Sequence, residues 1–120
     1  MKVIDIAFTA YPVTDMQRAR CFYESTLGLK LARSFGTSEI GFAEYDIGAG
    51  TLGIGNGASA FQPSPNGGMV VLEVDDFDSA VGKLREHKVP FLFEPFETPA
   101  CRGVAISDPD GNSIMIHKRK

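Results

Sequence analysis

The side chains able to do chemistry are few, and His117 is the first of them. It closes the run "SDPDGNSIMIHK", residues 107–118, in which Ile114 and Ile116 alternate with Ser113, Met115 and His117. A strand sends successive side chains to opposite faces, so His117 shares a face with Met115 and could bond a ligand or take a proton near neutral pH. An ordinary surface position near the chain end is the alternative reading. Glu73 lies two residues beyond Val71 on its own strand, where a carboxylate could act as a general base or pair with a cationic ligand. Its plainer role is a rim residue in water, or one paired with Arg102. Cys101 precedes Arg102, a neighbour that favours the thiolate, but a nucleophile needs a base and none is placed beside it by sequence. Cys21 falls on the polar side of a helix, and His87 beside Lys88 suits a helix C-terminus without chemistry. No residue is assigned a catalytic role on these grounds.

The elements that must position these groups repeat. Val3 to Tyr11 alternates as a strand, with Ile4, Ile6, Phe8 and Ala10 on one face. "TDMQRARCFYESTLGL" reads as a helix, capped by Thr14 or Asp15, with Thr14 and Gln17 at capping-box spacing and Gly28 as the stop. Met16, Ala19, Phe22, Tyr23 and Leu27 form its apolar stripe. Strands follow at 29–35, 40–46 and 51–55, then a Gly/Pro/Ser/Asn-rich linker at about 56–68. The order then returns as a strand over 69–75, a helix in "DFDSAVGKLREHKV" with Phe77, Ala80, Val81 and Leu84 on its buried side, and strands at 90–96, 102–107 and 113–118. "DPDGN" supplies the last turn. At an offset of 61, Asp76 falls on Asp15, Met69 on Phe8, Phe77 on Met16 and Ala80 on Ala19.

The fold class is therefore α+β, with module one at about 1–55 and module two at about 69–120 in a single domain. One helix for four strands covers only one face of each small sheet, so the other face must meet a ligand, a metal, solvent or another subunit. A chain of 120 residues with 43% apolar content can bury a core. A net charge of −3 gives no long-range attraction for nucleic acid or anionic lipid, and the basic end Lys118–Lys120 is a solvated tail. No segment approaches the roughly 18 apolar residues of a membrane span. Two cysteines do not make a disulfide scaffold, and no secretory cleavage pattern follows the N-terminus, so a soluble cytoplasmic protein is expected.

The paired strand-helix-strand-strand-strand units, the "VTDMQRARCFYESTLGLKL" run and the "DPDGNSI" turn resemble the glyoxalase / bleomycin resistance protein / extradiol dioxygenase group, the vicinal oxygen chelate superfamily. Asp15, Phe22, Tyr23, Leu27 and Gly28 match its first-helix pattern, and Asp108, Pro109, Asp110 and Gly111 its last hairpin. The resemblance spans nearly the whole chain. It implies two curved sheets that form a cup, with helices on the convex side and function on the concave one. In metal-using members it implies His, Glu or Gln ligands at four strand positions, which here are Phe8, Gly53, Met69 and Met115.

Phenylalanine and glycine side chains donate nothing, and thioethers suit soft ions rather than the Mg, Mn, Fe, Zn or Ni of this chemistry. The expectation is a protein without metal or other cofactor that binds a small apolar or aromatic molecule. Phe8, Met69, Val71 and Met115 would form an apolar floor, Gly53 would leave room, and Glu73, Arg102 or His117 would orient the guest. A self-packed core is the alternative reading of the same cluster. Phe91 and Phe93 share a face and could cover the cup or form a dimer contact. A homodimer is expected because open sheets leave edges and apolar faces for a two-fold partner to cover. The competing classes are a glyoxalase-like lyase or isomerase or a dioxygenase-related enzyme, and a dimerising protein whose cup is filled by its own side chains.

Overall fold

The computed structural model describes every residue except 1, 3, 5 and 60. The chain forms two compact units, Met1–Pro63 and Ser64–Lys120, each with the order strand, helix, strand, strand, strand. In the first unit these are β1 (Thr9–Pro12), α1 (Met16–Arg20), β2 (Leu31–Gly36), β3 (Gly41–Ile47) and β4 (Gly50–Gly55). In the second they are β5 (Val70–Glu73), α2 (Phe77–Glu86), β6 (Phe96–Glu97), β7 (Cys101–Ser107) and β8 (Ser113–Arg119). Each unit holds one four-stranded mixed sheet, ordered β1-β4-β3-β2 and β5-β8-β7-β6. In both, the first strand runs parallel to the last and the remaining pairs are antiparallel.

The repeat seen in the sequence extends to the helix caps. Asp15 accepts from the backbone N–H of Arg18 at 3.0 Å, and Asp76 accepts from that of Ser79 at 3.0 Å, each satisfying an N–H the helix cannot. Asp15 therefore caps α1, and the Thr14 hydroxyl instead accepts from the Arg18 guanidinium.

The first helix does not stay α-helical. Beyond Arg20 it widens into a π-helical turn, Cys21–Thr26, in which the Leu27 N–H reaches back five residues to the Phe22 carbonyl. That turn places neighbouring Phe22 and Tyr23 both in the core, their rings edge to face at 5.1 Å. Gly28 then takes a φ of +72°, where glycine carries no steric penalty, and the chain leaves the helix.

In the first unit the helix covers the face formed by Tyr11, Ala43, Tyr45, Leu52 and Ile54, all buried. Register confirms one face, since Tyr11 pairs with Ile54, Ala43 with Ile54 and Tyr45 with Leu52. In the second unit Ile114 and Ile116 of β8 pair with Ile106 and Val104 of β7, with Phe77 and Leu84 of α2 also buried. Ala80 and Val81 are only half-buried.

Two strands differ from expectation. β1 begins at Thr9, which pairs with Leu52; β4 starts only two residues earlier at Gly50, so Ile4 and Ile6 lie beyond the end of that strand. Ile4, Ile6 and Phe8 are exposed, while Val3 and Asp5 lie outside the described residues. The 90–96 strand reduces to a bridge from Phe91 to Ile106 and the short β6, where Phe96 pairs with Gly103. Six residues from Phe91 to Phe96 thus oppose four from Ile106 to Gly103, and Pro95 in the surplus has no N–H for a ladder. Met69 likewise precedes β5, which starts at Val70.

Candidate functional site

The helix-free face of each sheet holds the candidate residues. In the second unit Val71 pairs with Met115 and Glu73 with His117, and Gly103 lies opposite His117, so all five share that face. The structure brings Glu73 and His117 together: His117 Nδ1 meets Glu73 Oε2 at 2.6 Å, and Glu73 Oε1 accepts from the Arg119 N–H at 2.8 Å. The Arg119 N–H first, and His117 second, hold the Glu73 carboxyl below its ordinary range. The pairing with Arg102 is thereby overturned. Val71 and Met69 are 50% and 41% exposed, whereas Met115 is half-buried. The Phe96 ring covers Gly103, its Cζ 2.7 Å from where a Cβ would stand.

Arg102 is not with this group. One residue out of phase with Gly103, it turns to the helix side, where its guanidinium bonds Asp78 at 2.9 Å and lies 4.5 Å over the Phe77 ring. It ties β7 to the start of α2. Phe91 and Phe93 also part: Phe91 packs under the Arg85 guanidinium at 4.7 Å, and exposed Phe93 lies 5.8 Å from Phe96. His87 bonds the Lys83 carbonyl at the end of α2, and the Cys101 thiol contacts the Thr98 hydroxyl, so neither is set beside a partner for catalysis.

In the first unit Phe8, just before β1, and Gly53 of β4 occupy the helix-free face. The room expected at Gly53 is filled: the Phe42 ring lies over Gly53 and Gly55, with Cζ 2.5 Å from a Cβ placed at Gly53, and meets Phe8 edge to face at 5.7 Å. Phe42 pairs with Gly55 across the sheet, the arrangement in which an aromatic ring covers a backbone left bare by glycine. Farther along the same face, Arg33 bonds Glu44 at 2.6 Å and Asp46 at 2.6 Å, and Thr51 also donates to Asp46 at 2.8 Å. The sequence reading missed Phe42 and this cluster, although "GFAEYDI" alternates Phe42, Glu44 and Asp46 against Ala43 and Tyr45.

A groove of about 590 Å³ lies on the helix side of the first unit, between the helix and the β2–β3 hairpin. Met16, Arg20, Cys21, Glu24, Ser34 and Phe35 are among its walls, and no residue singled out as a ligand contact lines it. Its charged members are tied to the fold, because Glu24 accepts from Arg20 at 2.6 Å and from the buried Tyr45 hydroxyl at 2.9 Å.

The metal question is one of donors. Phe8, Gly53, Met69 and Met115 do not fit a hard or borderline divalent cation, and among the described residues no group of three or more His, Cys, Asp or Glu side chains is placed to hold a metal ion.

Paired βαβββ units, each with a mixed sheet covered by its helix on one face, define an α+β protein built on a duplicated module. The chain belongs to the Glyoxalase/Bleomycin resistance protein/Dioxygenase superfamily, whose sequence pattern matches residues 5–116. Among curated proteins no sequence matches. Solved structures share the fold. TnmS3, an antibiotic binding protein from Streptomyces sp. CB03234, has a TM-score of 0.77 at 24% identity, covering 100% of this chain and 99% of that one. A glyoxalase/dioxygenase from Nostoc punctiforme has a TM-score of 0.78 at 24% identity, covering 97% and 91%. Lactoylglutathione lyase from Agrobacterium tumefaciens has a TM-score of 0.75 at 20% identity, covering 98% and 95%. At these identities the likeness is one of fold. Among the described residues no helix is long and apolar enough to cross a membrane.

Proposed function

We propose that this chain is a metal-free binding protein for a small apolar or aromatic molecule, using helix-free strand faces that carry Phe8 in the first unit and Met69, Val71 and Met115 in the second. The observation that carries the reading is the identity of the side chains at the four family metal positions: two thioethers, a phenyl ring and a glycine. Isomerase and dioxygenase chemistry in this superfamily polarises substrate oxygens with a Lewis acid, and these side chains cannot hold one. They do favour burial of hydrocarbon, at about 25 cal/mol per Å² removed from water. The fold shared with an antibiotic binding protein supports a role in sequestering such a compound. Two copies would associate through remaining apolar surface, and the cytoplasm is the expected setting.

The Phe42 ring over Gly53 and Gly55 favours a second reading, in which the chain's own aromatic side chains occupy the face and no guest enters. Titration with an apolar fluorescent dye, beside elemental analysis of protein grown with Ni, Zn, Fe and Mn, separates the possibilities. The binding reading expects saturable dye uptake, weakened about ten-fold by Met115→Asp, which buries a carboxylate against the guest. Stoichiometric transition metal would replace it with the enzyme reading, and lack of dye uptake by the wild-type chain with the self-filled one.

A further inference from the structure

Glu73 and His117 form a polar device beside apolar side chains of the same face. Val71 and Met115 lie two residues back along their respective strands, and the Phe96 ring covers Gly103, opposite His117. The carboxylate is fixed on both oxygens, one by the Arg119 N–H and one by His117 Nδ1. A carboxylate only accepts, so Nδ1 carries the proton of that bond. In the neutral ring this leaves Nε2 as a bare acceptor, and among the described residues only Nδ1 of this ring has a hydrogen-bond partner.

We infer that His117, oriented by Glu73, captures the acidic O–H of a phenol or enol carried on an otherwise apolar ligand. The deduction rests on the binding reading above and names the ligand's polar group. A neutral Nε2 accepts from the hydroxyl. If the proton passes to Nε2, the O–H bond breaks, an N–H bond forms, and the resulting oxyanion accepts from an imidazolium that Glu73 neutralises on its other side. A hydroxyl that can give up its proton is therefore matched in either state. An ether is matched in neither without protonating the ring from solvent, and a carboxylate ligand would add a second anion beside Glu73.

The test uses 4-nitrophenol and 4-nitroanisole, which share an aromatic body and differ in whether the oxygen carries hydrogen. The full chain should bind the phenol about ten-fold more tightly than the ether, the scale of one charge-assisted hydrogen bond. His117→Leu should erase the difference between the two probes. Glu73→Gln is the sharper variant. The Arg119 N–H requires an oxygen, so the new amide turns its nitrogen to His117, donates to Nδ1 and moves the ring proton to Nε2. The preference for the phenol should then fall to about parity, the circular dichroism spectrum reporting an intact fold. Equal binding of both probes by the wild-type chain, or a preference that survives in both variants, overturns the inference and leaves the apolar site standing. Failure of the wild-type chain to bind either probe removes both.

Discussion

Tyr45 shows how closely a buried polar group must be matched. Its ring is fully buried and stacks on Tyr23 at 6.1 Å, and its hydroxyl donates to Glu24, which also accepts from Arg20. Burial first, and the Glu24 carboxylate second, push the Tyr45 hydroxyl above its ordinary pKa. The hydrogen bond from Arg20, and then that from Tyr45, hold the Glu24 carboxyl below its ordinary value of 4.5. A lowered folded pKa means the stabilising contribution is complete above that ordinary value and disappears as pH falls through the folded one. Urea midpoints should therefore drop as the solution is acidified below about pH 4.5, and Glu24→Gln should flatten that drop. Tyr45→Phe keeps the stacking and removes one donor, so a loss of about 1 kcal/mol is expected at neutral pH by urea unfolding. An unchanged acid limb in Glu24→Gln would assign the pH dependence elsewhere.

Among the elements, the two capping aspartates make the clearest comparison because they do the same work in duplicated surroundings. Asp15→Ala and Asp76→Ala should each cost about 1 kcal/mol in urea unfolding, and the double variant about the sum if the two helix ends act independently. A loss below a few tenths in either would show that its helix start is held by packing alone. The first cap was legible in the sequence as Thr14 or Asp15, because a short acceptor before an apolar period is a local signal, and so were β3, β4, β7 and β8, whose alternation survives in the structure. The extents of β1 and β6 were not. Where Thr9 first meets Leu52, and where Phe91 stops following Ile106, depends on a partner strand distant in sequence. The direction of Arg102 was lost for a related reason. Its role as a strut to Asp78 and Phe77 follows from its parity on β7, one step off the face that holds Glu73. The filling of Gly53 by Phe42 depends likewise on register between β3 and β4.

At the scale of the whole molecule, large apolar side chains remain outside the core. Ile4 and Ile6 are 86% and 81% exposed, and Phe35 57%. Single exposed hydrophobics are ordinary, but this number of them, with edge strands β2 and β5, matches the proposal that two chains associate. Sedimentation equilibrium should return twice the chain mass across the micromolar range, with Ile6→Lys or Phe35→Lys shifting it toward one chain. A single-chain mass in the wild-type protein would remove the dimer from the reading. The π-helical turn at Cys21–Thr26 carries a different kind of implication, for how this sequence can change over generations. A π-turn holds one residue more than an α-turn, so losing one codon in that stretch would close it to an ordinary helix with Leu27 and the glycine stop still in phase, whereas gaining one would swing them about 100° out. Loss of a single residue is therefore compatible with the helix stop, but gain of one is not.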